Sequence, residues 1–234
     1  MKRWYWTLLC LPLLHACGKP AGDDYFPLSE GLRWDYQVTI TQPHRSDSKT
    51  LTIENVGTES VKDTSTTVRR TSDGTDYYLT HKDGGVYRIA KRTIVEELPQ
   101  LDESPRMVLP NHPTTAQGKT WSSITMPYMI LRVFEGDENA KADEWRFPMQ
   151  YSVKSVDETV DVPAGRFTHC VLVEGQAEVT MYTDPRKGET AIPITTREWY
   201  APSVGLVKLE RDEPLNTDVF KGGKLVMELT QFED

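Results

Sequence analysis

Residues 32–41 read LRWDYQVTIT. Leu32, Trp34, Tyr36, Val38 and Ile40 share one parity; Arg33, Asp35, Gln37, Thr39 and Thr41 share the other. Successive side chains of a strand point to opposite faces, so this period of two, rich in aromatic and β-branched residues, predicts a half-buried β-strand. The same pattern recurs on its C-terminal side. Residues 49–58 and 64–71 read as Thr-rich strands, and 76–90 as a hairpin turned by Asp83-Gly84-Gly85, which supplies the positive φ a tight turn needs.

Residues 95–113 carry four acids and four prolines. They read as a long connection holding a short strand at 106–109. Gln117-Gly118-Lys119 is a turn, strands follow at 119–126 and 128–135, and 136–143 (GDENAKAD) is the most loop-like interior stretch. Further strands are expected at 145–157, 158–162, 167–182, 195–201, 204–211 and 223–232. Pro163-Ala164-Gly165 and Pro202-Ser203 punctuate them. No amphipathic run of helical period exceeds about two turns. Consecutive strands with short connections predict an all-β fold: an antiparallel meander forming a curved open sheet, a half-barrel or a sandwich.

The chain has 234 residues and a formal charge of −8. The first sixteen residues carry Lys2 and Arg3 and no acid, so the remainder holds 25 basic and 35 acidic residues, a charge of −10. That balance repels phosphate backbones and argues against nucleic-acid binding. The length suits one domain with a sizeable core. There are three cysteines: Cys10, Cys17 and Cys170.

The N-terminus begins with a basic pair, Lys2 and Arg3. An apolar run of eleven residues follows at 4–14, interrupted by Thr7. A membrane-spanning helix needs about 20 apolar residues. A shorter run behind basic residues fits a signal peptide. Leu14-His15-Ala16-Cys17 resembles the lipobox of bacterial lipoproteins. The resemblance implies cleavage between Ala16 and Cys17 and lipidation of the Cys17 thiol. Gly18, where an Asp is absent, implies passage to the outer membrane in enteric-type cells. Each buried methylene contributes roughly 0.8 kcal/mol, and two or more acyl chains hold a protein stably at a bilayer. The expected division is a signal peptide at 1–16, a lipidated Cys and tether at 17–24, and a single β-rich periplasmic domain at 25–234. With Cys17 lipidated, Cys170 has no disulfide partner, and the fold must rest on its core.

Three patches carry a second resemblance. They are Tyr25-Phe26-Pro27-Leu28 with Gly31, Trp34 and Tyr36; Val162-Pro163-Ala164-Gly165-Arg166-Phe167 with Cys170; and Trp199-Tyr200-Ala201-Pro202 with Val204-Gly205-Leu206-Val207-Lys208. Together they resemble a group of secreted or lipidated bacterial β-proteins without an assigned activity. The resemblance implies an envelope β domain and no chemistry.

The sequence holds no Gly-x-Ser-x-Gly elbow, no phosphate loop and no dinucleotide fingerprint. His169 precedes Cys170, but strand neighbours point apart, and the apolar CVLV run makes Cys170 a core residue. His44, His81, His112 and His169 lack zinc spacing. Asp137, Asn139, Asp143 and Glu144 offer oxygen ligands without the EF-hand glycine, a pattern that fits a solvated acidic loop. Paired acids such as Glu96-Glu97 and Asp157-Glu158 do not by sequence span a sugar cleft. No cofactor, metal or catalytic residue is expected.

The remaining candidates are aromatic. Trp34, Tyr36, Trp199 and Tyr200 are expected to pack the core or to contact a ligand, and Met126, Met129, Met149 and Met227 would suit an adaptable lining. The expected function is a membrane-anchored, non-enzymatic envelope lipoprotein, either a protein-interaction or structural module or a carrier or sensor of a lipid or other apolar ligand. Its partners would be the membrane, through acyl chains on Cys17, and an envelope protein or apolar ligand. A filled core favours the first reading, and an open cavity of several hundred Å³ the second.

Overall fold

The computed structural model describes residues 24–132, 146–184 and 188–234. The first strand, β1 (Arg33–Gln42), buries Trp34, Tyr36 and Val38 in alternation, as its sequence requires. The remaining strands are β2 (Arg45–Val61), β3 (Thr64–Thr71), β4 (Asp76–Lys82), β5 (Gly85–Arg92), β6 (Gln100–Pro110), β7 (Thr120–Thr125), β8 (Leu131–Arg132), β9 (Phe147–Val162), β10 (Gly165–Asp184), β11 (Gly188–Ala201), β12 (Gly205–Asn216) and β13 (Phe220–Glu233). The one helical element among the described residues is a 3-10 turn at Pro113–Thr115.

All the strands belong to one antiparallel sheet, ordered β6-β5-β4-β3-β2-β1-β13-β12-β11-β10-β9-β7, with β8 paired to β13. It is two meanders, β1–β6 and β9–β13, stitched by the pairing of β1 with β13. In that stitch Trp34 lies opposite Phe232 and Ile40 opposite Leu225. The sheet curls until it is a nearly closed barrel. At the remaining seam the edges β6 and β7 approach, and the Ser123 hydroxyl donates to the Met107 carbonyl at 3.1 Å.

Three apolar clusters fill the interior. The largest contains Phe26, Leu79, Leu109, Met149, Tyr151, Val173, Ile194 and Tyr200. A second gathers Trp34, Tyr36, Val38, Cys170, Trp199 and Leu229. A smaller one holds Val68, Tyr78 and Ala90. Gly175 on β10 permits a close approach of side chains, since a Cβ there would stand 2.6 Å from Thr196 Cγ2 and 2.7 Å from Tyr151 Cε1. The Asp83-Gly84 turn forms as expected, with Gly84 at φ 98°.

Several expected boundaries change. The short strand at 106–109 is the end of an eleven-residue strand, β6. Its middle is irregular: Arg88 pairs with Arg106 and Ala90 with Leu101, so 102–105 stand opposite Ile89 alone. Pro105 has no N–H for the ladder, and the bulge accommodates it. Residues 158–162 do not form a separate strand but continue β9, because the acidic pair at 157–158 sits at a register shift against β10 that bends the ladder without ending it. Of the strand expected at 128–135, Leu131–Arg132 pair with β13. Residues 128–130 are not strand, because their backbone N–H groups go to the Glu213 carboxylate instead of a ladder. Residues 133–135 lie outside the described residues, as do the loop at 136–143, the signal segment, Ala16 and Cys17.

Candidate functional site

The seam between β6 and β7 opens into a cleft. Its outer part, about 410 Å³, is lined by the bulge at 102–105, by Tyr77, Arg88 and Lys91, by residues 122–126 of β7 and its exit, and by Tyr128 and Arg146. A deeper pocket of about 160 Å³ is lined by Phe26, Arg69, Tyr77, Leu79, Arg88, Arg106, Met107, Val108, Tyr151 and Glu198. Tyr77, Arg88 and Arg106 are walls of both. The bulge creates this opening: four residues crowded against one cannot stay in the ladder, and the strand edge bows away from β7.

Charge is concentrated at the inner pocket. Arg88 is neutralised by a two-pronged pair with Asp102 at 2.7 and 2.8 Å. Arg69 gives its Nε to Asn55 Oδ1 at 2.8 Å and its Nη2 to the Pro27 carbonyl at 2.7 Å. Its guanidinium lies 4.3 Å from the Phe26 ring centre and 4.6 Å from that of Trp34. Burial pulls Arg69 down to about 10, against Tyr36, Tyr200 and Asp24, which favour its charge. It therefore stays cationic at neutral pH. Arg106 donates to the Tyr151 hydroxyl at 3.3 Å. Burial works against its charge, but Tyr128, Tyr151 and Glu198 outweigh that and hold it above its ordinary value. Among the described residues neither Arg69 nor Arg106 has a carboxylate within ion-pair distance.

Glu198 is the pocket's acid. It accepts a 2.5 Å hydrogen bond from the Tyr200 hydroxyl. Burial raises its carboxyl above the ordinary glutamate value, and the Tyr200 bond, Arg106 and Arg211 only partly counter this. Tyr200 is pushed well above 10 by burial and by the adjacent Glu198, so it stays a donor. On the cleft side, Thr125 is buried and its hydroxyl has no hydrogen-bond partner among the described residues.

A second charged arrangement braces the wall. Arg211 and Glu213 are fully buried, with Arg211 Nε 2.6 Å from Glu213 Oε1. The Glu213 carboxylate accepts the backbone N–H groups of Tyr128, Met129 and Ile130 at 2.8 to 3.1 Å. Arg211 donates to the Met126 carbonyl at 3.0 Å and lies 4.0 Å from the Tyr128 ring centre. The segment leaving β7 is thus held at the cleft's rim with its polar groups satisfied.

The four aromatics singled out from sequence are all buried. None lines either cavity. Trp34 Nε1 donates to the Val204 carbonyl and the Tyr36 hydroxyl to the Leu206 carbonyl, both at 2.7 Å. Trp199 Nε1 donates to Glu158 Oε2 at 2.9 Å. Tyr200 comes nearest, through its bond to Glu198. Of the methionines, Met126 lines the outer cleft, whereas Met129, Met149 and Met227 are buried. The residues that sequence reading passed over are Arg69, Arg106 and Glu198. A signal existed for one of them: Ile192, Ile194, Thr196, Glu198 and Tyr200 share a parity, which puts Glu198 on the inner face.

Elsewhere, Cys170 is completely buried, and burial followed by Glu158 pushes its thiol up to about 11. His169 adopts a left-handed conformation (φ 57°) and meets Asp157 at 2.7 Å on the surface. The described residues contain no cluster of His, Cys, Asp and Glu that could hold a metal ion. Among them no helix is long and apolar enough to cross a membrane.

Fold and site together define an antiparallel, barrel-like β domain with an arginine-lined seam. No family model and no curated protein matches the chain. Two solved structures are similar to it. One is a candidate lipoprotein from Parabacteroides distasonis, at 16% identity and a TM-score of 0.39, covering 89% of this chain and 98% of that one. The other is a candidate exported protein with a YMCC-like fold from Bacteroides fragilis, at 14% identity, a TM-score of 0.39 and the same coverage. Similarity at this level carries no functional weight.

Proposed function

We propose that the chain is an envelope lipoprotein, held at a membrane by acyl chains on Cys17, whose domain is a non-enzymatic carrier or sensor. The carrying observation is the seam cleft, about 410 Å³ outside and 160 Å³ within. A cavity of that order suits a small molecule. Its mixed lining differs from the purely apolar concavity expected from sequence. Native mass spectrometry of the protein extracted from a bacterial envelope in mild detergent tests the reading. The wild type should retain a small molecule that Ser122→Trp, which fills the outer cleft, does not. No retained ligand, and none taken up from envelope extract, would overturn it.

One observation supports a second reading, the protein-interaction module. The β5–β6 connection exposes Ile94, Val95 and Leu98, each more than two-thirds accessible. Cross-linking in intact cells from this loop should capture a defined envelope protein if that surface is used.

A further inference from the structure

We propose that the cleft's ligand is an organic monoanion, a carboxylate on an apolar or aromatic body, whose acid group is taken by Arg69 and Arg106 in the inner pocket. The inference rests on the carrier reading and specifies its ligand class.

Charge selects the sign of the ligand. Three guanidinium groups line the inner pocket, and Asp102 cancels one of them, Arg88. Glu198 balances one of the other two without forming an ion pair. Asp24 also favours the charge of Arg69 but does not line the pocket or pair with it. The lining therefore keeps one positive charge in excess in a half-buried place, where a visiting anion is favoured. A single carboxylate completes that balance; a dianionic phosphate overshoots it unless Glu198 is protonated. The donors are also free to serve. Among the described residues Arg106 is hydrogen-bonded only by the phenols of Tyr151 and Tyr128. Arg69 spends its Nε and one Nη2 bond on Asn55 and Pro27, which fixes the guanidinium and leaves Nη1 uncommitted among the described residues. A guanidinium locked by neighbours on one edge loses little freedom when it binds on the other. The body of the ligand is set by the remaining wall: Phe26, Leu79, Met107 and Val108 are apolar and Tyr77 offers a ring face.

The test is calorimetric titration of the full chain in phosphatidylcholine vesicles, blanked against empty vesicles, with 4-phenylbutyrate, 4-phenylbutan-1-ol and acetate. The acid should bind roughly ten- to a hundredfold more tightly than the alcohol, the range expected for hydrogen bonds to a charged group. Acetate should bind more weakly than the acid. Arg106→Gln should abolish the preference for acid over alcohol. Glu198→Gln, which removes the competing carboxylate and keeps an acceptor for Tyr200, should widen the preference for acid over alcohol. It serves as the deciding variant if Arg106→Gln does not fold. Equal binding of acid and alcohol would overturn the inference while leaving the carrier reading standing. Acetate as tight as 4-phenylbutyrate would overturn the apolar body. A folded Arg106→Gln protein with unchanged preference, or no binding of any probe, would also overturn the assignment. The carrier reading is then decided separately by the retained-ligand experiment.

Discussion

Arg211 and Glu213 stand two residues apart on β12 and form an ion pair that solvent does not reach. Both point inward because a strand repeats its facing every second residue. Such a pair is weak evidence of net stability, but removing one member strands the other's charge in the interior. Glu213→Gln, nearly isosteric, should therefore destabilise the fold by about 3 to 5 kcal/mol in urea denaturation. A loss within the range of surface substitutions would mean that Arg211 finds another partner.

Glu198 gives stability a pH dependence. Burial holds its carboxyl above the ordinary glutamate value of 4.5. Over that interval the folded protein keeps a proton that the unfolded chain has released. Its contribution to stability is thus present at low pH and declines as pH rises through the raised value. Glu198→Gln cannot ionise. Relative to wild type, it should become progressively more stable as pH rises above the ordinary glutamate value. Parallel stability profiles for the two proteins would contradict the assignment.

Trp34 links β1 to the start of β12 by a hydrogen bond and packs against Phe232 at 5.6 Å between ring centres. Trp34→Ala should cost about 3 to 5 kcal/mol in thermal or urea unfolding. Trp34 does not line the cleft but lies 4.6 Å from the Arg69 guanidinium, so in the folded fraction binding of an apolar ligand should persist while binding of an acid weakens. Lost binding at unchanged stability would make it a site residue instead.

The anchor has its own test. Cys17→Ser should take up no labelled fatty acid and should move the protein from the membrane fraction to the soluble periplasmic fraction. A variant that stays on the membrane, with a wild type that incorporates no label, would falsify the lipoprotein proposal.

The alternation at 32–41 and the turn at Asp83-Gly84 carried most of the architecture, because period-two burial and positive φ are local properties. Residues 100–110 were less legible. Pro105 and the flanking acids resemble a loop in isolation, and only pairing with β5 makes them a bulged strand. The join of β1 to β13 is a contact across nearly the whole chain, invisible to any local pattern. Glu198 and Arg211 were visible as inward positions of expected strands, whereas Glu213 lay beyond the strand expected at 204–211. A reading that assigns charge to the outer face discounts them, although inward charges of this kind build the cleft and its brace.

The stitch between β1 and β13 also sets an order of events. During vectorial synthesis the β1–β6 meander emerges first, and its β1 edge faces solvent with an unsatisfied row of amides and carbonyls until β13 arrives. The first half of the molecule is therefore a sticky intermediate by construction. A chain interrupted ahead of Phe220 would present two open strand edges to its neighbours in a crowded compartment, so quality control has most to do in the interval before the last described strand docks.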